Sequence, residues 1–231
     1  PTVSNPTKCS IQMKLGIYNT FINNNLPTQY YDQVLYVDGV SKKITEDMTR
    51  NSAMNCAWTI VRPTNVWGPW NMRYPNELWK IIHQGLYFHP YGANPVKSFA
   101  YVKNVAHQMI GIIFATSSSV NKQVFYLGDI PIVSTKWIEY FSKELTGKSI
   151  RYVPEFFVYI ISYFGTLLNK LKIPFPLNLG RFQNMKDDYP TPMQKTIDGF
   201  GLSNPDLENN IKDTIHWFKN EGKHFFPYWN L

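Results

Sequence analysis

Residues 36–70, YVDGVSKKITEDMTRNSAMNCAWTIVRPTNVWGPW, constrain the fold more than any other stretch of the chain. Val40, Ile44 and Met48 recur at i, i+4 and i+8, one face of a helix, with Lys43, Glu46, Asp47 and Arg50 around the rest. The spacing predicts a helix from about Gly39 to Asn55 with its apolar stripe turned to the core. AWTIVRP, residues 57–63, is a β-branched run stopped by proline, the pattern of a strand buried on both faces. A Pro- and Gly-containing loop follows. A helix feeding a fully buried strand is the repeating unit of α/β folds.

The same alternation continues to the C-terminus. Residues 7–14 read as the end of a helix and LGIY, 15–18, as a short buried strand. The Asn-rich segment 23–33 reads as a loop. A helix is expected over 77–84, and SFAYVKNVAHQMIGIIFAT, 98–116, reads as a short strand passing into an apolar helix. VFYLGD, 124–129, is a strand ended by Gly128. Residues 134–148 form an amphipathic helix that Ser134 can cap at its start and Gly147 at its end. IRYVP is a further strand, and 207–223 a last amphipathic helix with Ile211, Ile215 and Phe218 on one face. The expected class is α/β: a Rossmann-like parallel sheet flanked by helices. No linker divides it, so a single unit over residues 1–231 is expected.

Composition narrows the function. Apolar residues are 44% of the 231 and aromatics 16%, enough for a packed core. The net charge of +7 suits anionic ligands such as nucleotide phosphates, but Lys and Arg are scattered and no nucleic-acid-binding motif is present. Two cysteines far apart, Cys9 and Cys56, argue against a disulfide framework, and no Cys/His spacing suggests a metal. A reducing, cytoplasmic setting is expected. FFVYIISYFGTLL, 156–168, is too short to span a bilayer, which takes about 20 residues. It reads as a buried helix. The alternative is a helix lying on a membrane surface, with Lys170 and Lys172 just beyond it.

VDGVSKKITE, WTIVRPTNVWGP, SFAYVKNVA and FYLGD together resemble the extended short-chain dehydrogenase/reductases, the NAD-dependent sugar-nucleotide epimerases and dehydratases. The likeness runs from about Lys8 to Lys219 and includes 187–201, which looks like the family's smaller C-terminal substrate lobe. It implies an NAD(P)-dependent epimerase/dehydratase-like oxidoreductase for a sugar nucleotide or related hydroxy/keto substrate, with NAD or NADP as cofactor. In the family a Tyr four residues before a Lys does proton-transfer chemistry. Lys42 matches that lysine, which would hold the nicotinamide ribose and lower the pKa of the neighbouring acid. Thr20 matches the hydroxyl that polarises the substrate oxygen. Pro63 and Asn65 match the loop beside the nicotinamide, with Asn65 also toward substrate. Arg73 and Lys97 match positions that meet a substrate's anionic groups.

Two departures accompany the match. Asp38 stands where the family has its tyrosine; the plain structural reading is that it caps the helix and pairs with Lys42. Tyr36, the nearest phenol, is six residues from Lys42 and would serve only in non-helical backbone. No Gly-x-Gly-x-x-Gly occurs among the 13 glycines. The resemblance therefore implies a domain lacking its N-terminal Gly-rich part. Its alternative function is that of a non-catalytic ligand- or partner-binding relative, a pseudoenzyme. A homo-oligomer is the expected partner state.

Overall fold

A computed structural model describes residues 8–13 and 33–225. In chain order the strands are β1 (Lys8–Met13), β2 (Ala57–Pro63), β3 (Asn65–Trp67), β4 (Phe88–Pro90), β5 (Val96–Lys97), β6 (Phe99–Tyr101), β7 (Gln123–Leu127), β8 (Ile132–Val133) and β9 (Arg151–Val153). The longer helices are α1 (Gln33–Asn51), α2 (Val102–Phe114), α3 (Ser134–Thr146), α4 (Glu155–Lys170), α5 (Leu179–Asn184), α6 (Gln194–Phe200) and α7 (Leu207–Asn220). They fall into two compact units. The first takes the chain up to Val66, Ser98–Ile130 and Thr191–Ser203; the second takes Trp67–Lys97, Pro131–Pro190 and the chain from Asn204.

The first unit is built on a parallel sheet of order β1–β2–β7. Residues 8–13 are therefore a strand, not the helix end expected from sequence: Ser10 to Met13 lie in register with Trp58 to Val61. On its other edge β2 pairs with β7, Thr59 to Pro63 against Gln123 to Leu127. A strand with parallel neighbours on both sides has no free edge and needs apolar side chains on both faces. That is why AWTIVRP carries them and is buried almost throughout. Val61, Phe125 and Leu127 of the sheet pack with Ala100, Val105, Ile112 and Val120, and Phe200 of α6 closes the cluster. The LGIY segment lies outside the described residues.

Helix α1 begins six residues earlier than the periodicity suggested, and its exposed and buried faces are the reverse of the expected ones. Val40, Ile44 and Met48 are exposed, Met48 by 68%, whereas Glu46 and Thr49 are buried. The cause is an ionic cluster. Glu46 Oε1 accepts from Arg62 Nη2 at 2.5 Å and from Arg50 Nη2 at 2.8 Å, and Arg62 also donates to the Tyr126 hydroxyl. The face that meets the sheet is thus the one that carries Glu46 and Thr49, and the apolar stripe faces out. Because the helix starts at Gln33, Asp38 lies in its interior and is not a cap. Tyr36 lies in the same regular helix, about 120° around from Lys42. Cys56 is disulfide-bonded, contrary to the expectation from cysteine spacing, and Cys9 is the chain's other cysteine.

The second unit is an aromatic core under helices α3 and α7. Trp67 meets Trp137 and Phe141 edge-on at 5.7 and 5.5 Å, and Trp79 stacks on Phe141 at 5.0 Å while meeting Phe218 edge-on. Ile211, Ile215 and Phe218, the face read from the sequence, are all buried. Helix α3 ends as expected, with Gly147 at φ 68° accommodating the left-handed turn. Its start differs: Val133 is the N-cap residue and Ser134 is a buried first helical residue with no side-chain cap. Two short ladders, β4 with β9 and β5 with β8, complete the unit. Among the described residues no helix is long and apolar enough to cross a membrane.

Candidate functional site

In open parallel sheets the ligand lies beyond the carboxyl ends of the strands. Here those ends are Pro63 of β2 and Leu127 of β7, which are register partners. Beyond them the chain is held tightly. The Thr64 backbone N–H donates to the Leu127 carbonyl at 3.0 Å. Asn65 Nδ2 donates to the Ser98 carbonyl at 3.1 Å, and Ser98 Oγ accepts from the Thr191 N–H at 2.7 Å. The proline, threonine and asparagine are thus a fixed edge, with the Asn65 side chain exposed but oriented.

Gly128, directly after β7, is what lets this edge close. Its φ is 155°, and a Cβ there would lie 2.8 Å from Thr64 Oγ1 and 2.9 Å from the Phe99 carbonyl. Gln108, fully buried on α2, reads the same residue from the other side. Its Oε1 accepts from the Gly128 N–H and its Nε2 donates to the Gly128 carbonyl, both at 2.9 Å. Gly128→Ala should therefore cost about 2 kcal/mol by forced backbone movement, read as a lower urea midpoint at unchanged slope. Next to it the Asp129 carboxylate accepts from the Tyr101 N–H at 2.8 Å and from Asn104 Nδ2 at 2.7 Å. Burial pushes its pKa above the ordinary carboxylate value, and the two hydrogen bonds pull against that shift. Sequence reasoning missed Gln108 and Asn104 because a buried amide has no spacing signature of its own.

Lys42 is on α1 and half-buried. Asp38, four residues earlier, falls on the same face of that helix, since four residues turn it by about 400°. Thr20 and the Asp38 side chain lie outside the described residues. The first unit therefore carries Lys42, Pro63 and Asn65. Arg62, part of the RPTN match, points away from any ligand role and into the Glu46 cluster.

Arg73 and Lys97 belong to the second unit. Arg73 is exposed, and its Nε donates to Glu77 Oε2 at 3.0 Å across one helical turn. Lys97 is held differently. Its Nζ donates to the backbone carbonyl and to the side-chain Oδ1 of Asn184, and lies 5.6 Å over the Tyr189 ring. Burial lowers its pKa to about 8, with Asp187 and Asp188 pulling it back up. Among the described residues no group of His, Cys, Asp and Glu is placed to hold a metal ion.

No family model matches the sequence, and no curated protein does. Solved structures do. The crystal structure of gox2253 matches with a TM-score of 0.64 at 13% identity, over 92% of this chain and 66% of that one. The human epimerase family protein SDR39U1, solved with NADPH, matches at 0.55 and 13% identity over 92% and 62%. The UDP-glucose 4-epimerase of Thermotoga maritima, solved with UDP-glucose, matches at 0.55 and 14% identity over 90% and 62%. This chain spans less than two thirds of the length of each. The likeness is one of fold: the chain shares the Rossmann-like α/β fold of these epimerase structures.

Proposed function

We propose that the chain forms the nicotinamide side and the substrate side of an NAD(P)-dependent epimerase/dehydratase-like oxidoreductase acting on a sugar nucleotide or related hydroxy/keto substrate. What supports this reading is the held Pro63–Thr64–Asn65 edge at the carboxyl end of a parallel sheet, in a chain that shares the fold of epimerase structures and carries Lys42 on helix α1. A nicotinamide cofactor, when bound, supplies the hydride chemistry. The residues fit its nicotinamide end: Lys42 offers a cation for the ribose hydroxyls, and Pro63 and Asn65 offer a held edge for the ring and the substrate. They do not include a Gly-rich turn for the pyrophosphate.

Thr20 would hydrogen-bond the reacting substrate oxygen. Lys97 and Arg73 would meet the anionic part of the substrate, Lys97 as a point charge and Arg73 as a planar fork. Structures of this fold that hold NADPH or UDP-glucose support a nicotinamide cofactor and a nucleotide-sugar substrate class. A second reading, a non-catalytic relative that keeps the ligand surface, is favoured by Asp38. A carboxylate beside a lysine stays ionised and has no proton to give. Self-association belongs to the same proposal. The exposed Val40, Ile44 and Met48 stripe is the surface a second copy would cover.

The test is a titration of the protein with NADH and NADPH followed by nicotinamide fluorescence. The native chain should saturate at cofactor concentrations below about 1 mM, and Lys42→Ala should weaken binding by at least about tenfold, the loss of one charge-assisted contact. No fluorescence change at millimolar cofactor would overturn the reading.

A further inference from the structure

The sequence reads 156–168 as a buried helix, and the structure contradicts that. Within α4 only a narrow stripe, Val158, Ser162 and Gly165, is buried. Phe156, Phe157, Tyr159, Ile161, Tyr163, Phe164 and Leu167 are all exposed, Phe156 by 65% and Phe164 by 58%, and Leu171 beyond the helix end by 71%.

The polarity of the helix is inverted with respect to water. Its polar side chains are used inward, Ser162 on its own helix and Thr166 and Asn169 on the segment that returns beneath it. Ser162 Oγ donates to the Val158 carbonyl, Thr166 Oγ1 accepts from the Leu179 N–H at 3.0 Å, and Asn169 Oδ1 accepts from the Phe175 N–H at 2.8 Å. Gly165 permits this close packing, since a Cβ there would meet the Leu177 carbonyl oxygen at 1.8 Å. The large apolar side chains are left on the outward arc. Scattered exposed apolar residues are ordinary, but a continuous face of this kind marks an interaction surface.

Charge says what covers it. From Phe156 to Lys186 the chain carries Lys170, Lys172, Arg181 and Lys186 and no Asp or Glu. Lys186 pairs with Glu155 and Arg181 donates to the Pro176 carbonyl, while Lys170 and Lys172 are exposed at the C-terminal end of α4. Tyr159 and Tyr163 lie along one margin, where rings with a polar tip suit a water–lipid boundary. The helix spans about 24 Å and is too short to cross a bilayer, so it would lie in the headgroup plane. We infer that α4 and its cationic C-terminal rim dock the protein on an anionic lipid surface.

The experiment is flotation of the full chain with two kinds of vesicle, one purely zwitterionic and one with about 30% anionic lipid. The native protein should float with the anionic vesicles. Phe164→Glu combined with Leu167→Glu should lower the bound fraction by at least about tenfold, each glutamate opposing entry into the apolar layer. Because both side chains are exposed, that variant should keep the native melting midpoint. Leu86→Glu, an equal change at an exposed apolar residue of another element, should float like the native protein. Lys170→Gln with Lys172→Gln should erase the preference for anionic over zwitterionic vesicles. Three results would overturn the inference: a native protein that floats with neither vesicle, equal flotation of the glutamate variant, or a concentration-dependent dimer in sedimentation that the same variant dissolves.

Discussion

Asp38→Tyr is expected to raise hydride transfer from a nucleotide-hexose such as UDP-glucose to NAD⁺ by about 10²–10⁴-fold, the usual worth of a positioned general acid–base group. The helix that carries the residue is regular from Gln33 to Asn51, so position 38 shares a face with Lys42 without any rearrangement. Four residues make about one helical turn, so a tyrosine at position 38 has the spacing to share the face of Lys42, and a nearby ammonium favours a phenol's ionised form over its ordinary pKa of about 10. The present carboxylate offers only an acceptor. Formation of reduced cofactor followed at its near-ultraviolet absorbance separates the two readings of function. A large gain means a catalytic scaffold that has lost its proton donor. A native chain that already turns over as fast as the tyrosine variant means that Asp38 is competent, and the non-catalytic reading falls.

Glu46→Ala is expected to cost about 3–5 kcal/mol, the range for removing one partner of a buried ion pair. Glu46 is 4% exposed, and it holds Arg62, a largely buried strand residue whose pKa is raised by its bonds to Glu46 and Tyr126 in spite of burial. Without the carboxylate, Arg62 keeps the Tyr126 hydroxyl and ring, the latter 5.2 Å from its guanidinium carbon, and loses its bond to the Glu46 anion. Glu46→Leu with Arg62→Met should recover most of the loss, because it removes both charges and leaves apolar volume. Urea melts of the three proteins decide the matter: a single variant as stable as the native chain would show that the cluster does not hold α1 on the sheet.

The elements legible in the sequence were those whose local pattern and tertiary role agree. AWTIVRP is a central strand because a doubly buried strand needs that composition, and Gly147 and Gly128 sit where positive φ requires glycine. The face of α1 was misread for the opposite reason. Val40, Ile44 and Met48 have helical period, but period alone does not say which face meets the sheet, and an arginine 16 residues away decided it through Glu46. Helix α4 was misread likewise: its apolar content suggested burial, while the small and polar residues Ser162, Gly165 and Thr166 make the packed contacts. At the candidate site, Lys42 and the Pro63–Asn65 edge were readable from motif order. The amide ties of Gln108, Asn104 and Asp129 that fix that edge join residues about 20 or more positions apart and leave no local trace.

If this chain holds the nicotinamide end of a dinucleotide as proposed, saturation-transfer NMR of NADH in the presence of the protein will show it. Saturation should reach the nicotinamide ring and its ribose protons most strongly, the adenine protons weakly, and all of it should disappear in Lys42→Ala. Saturation centred on the adenine, or undiminished in Lys42→Ala, would contradict the claim.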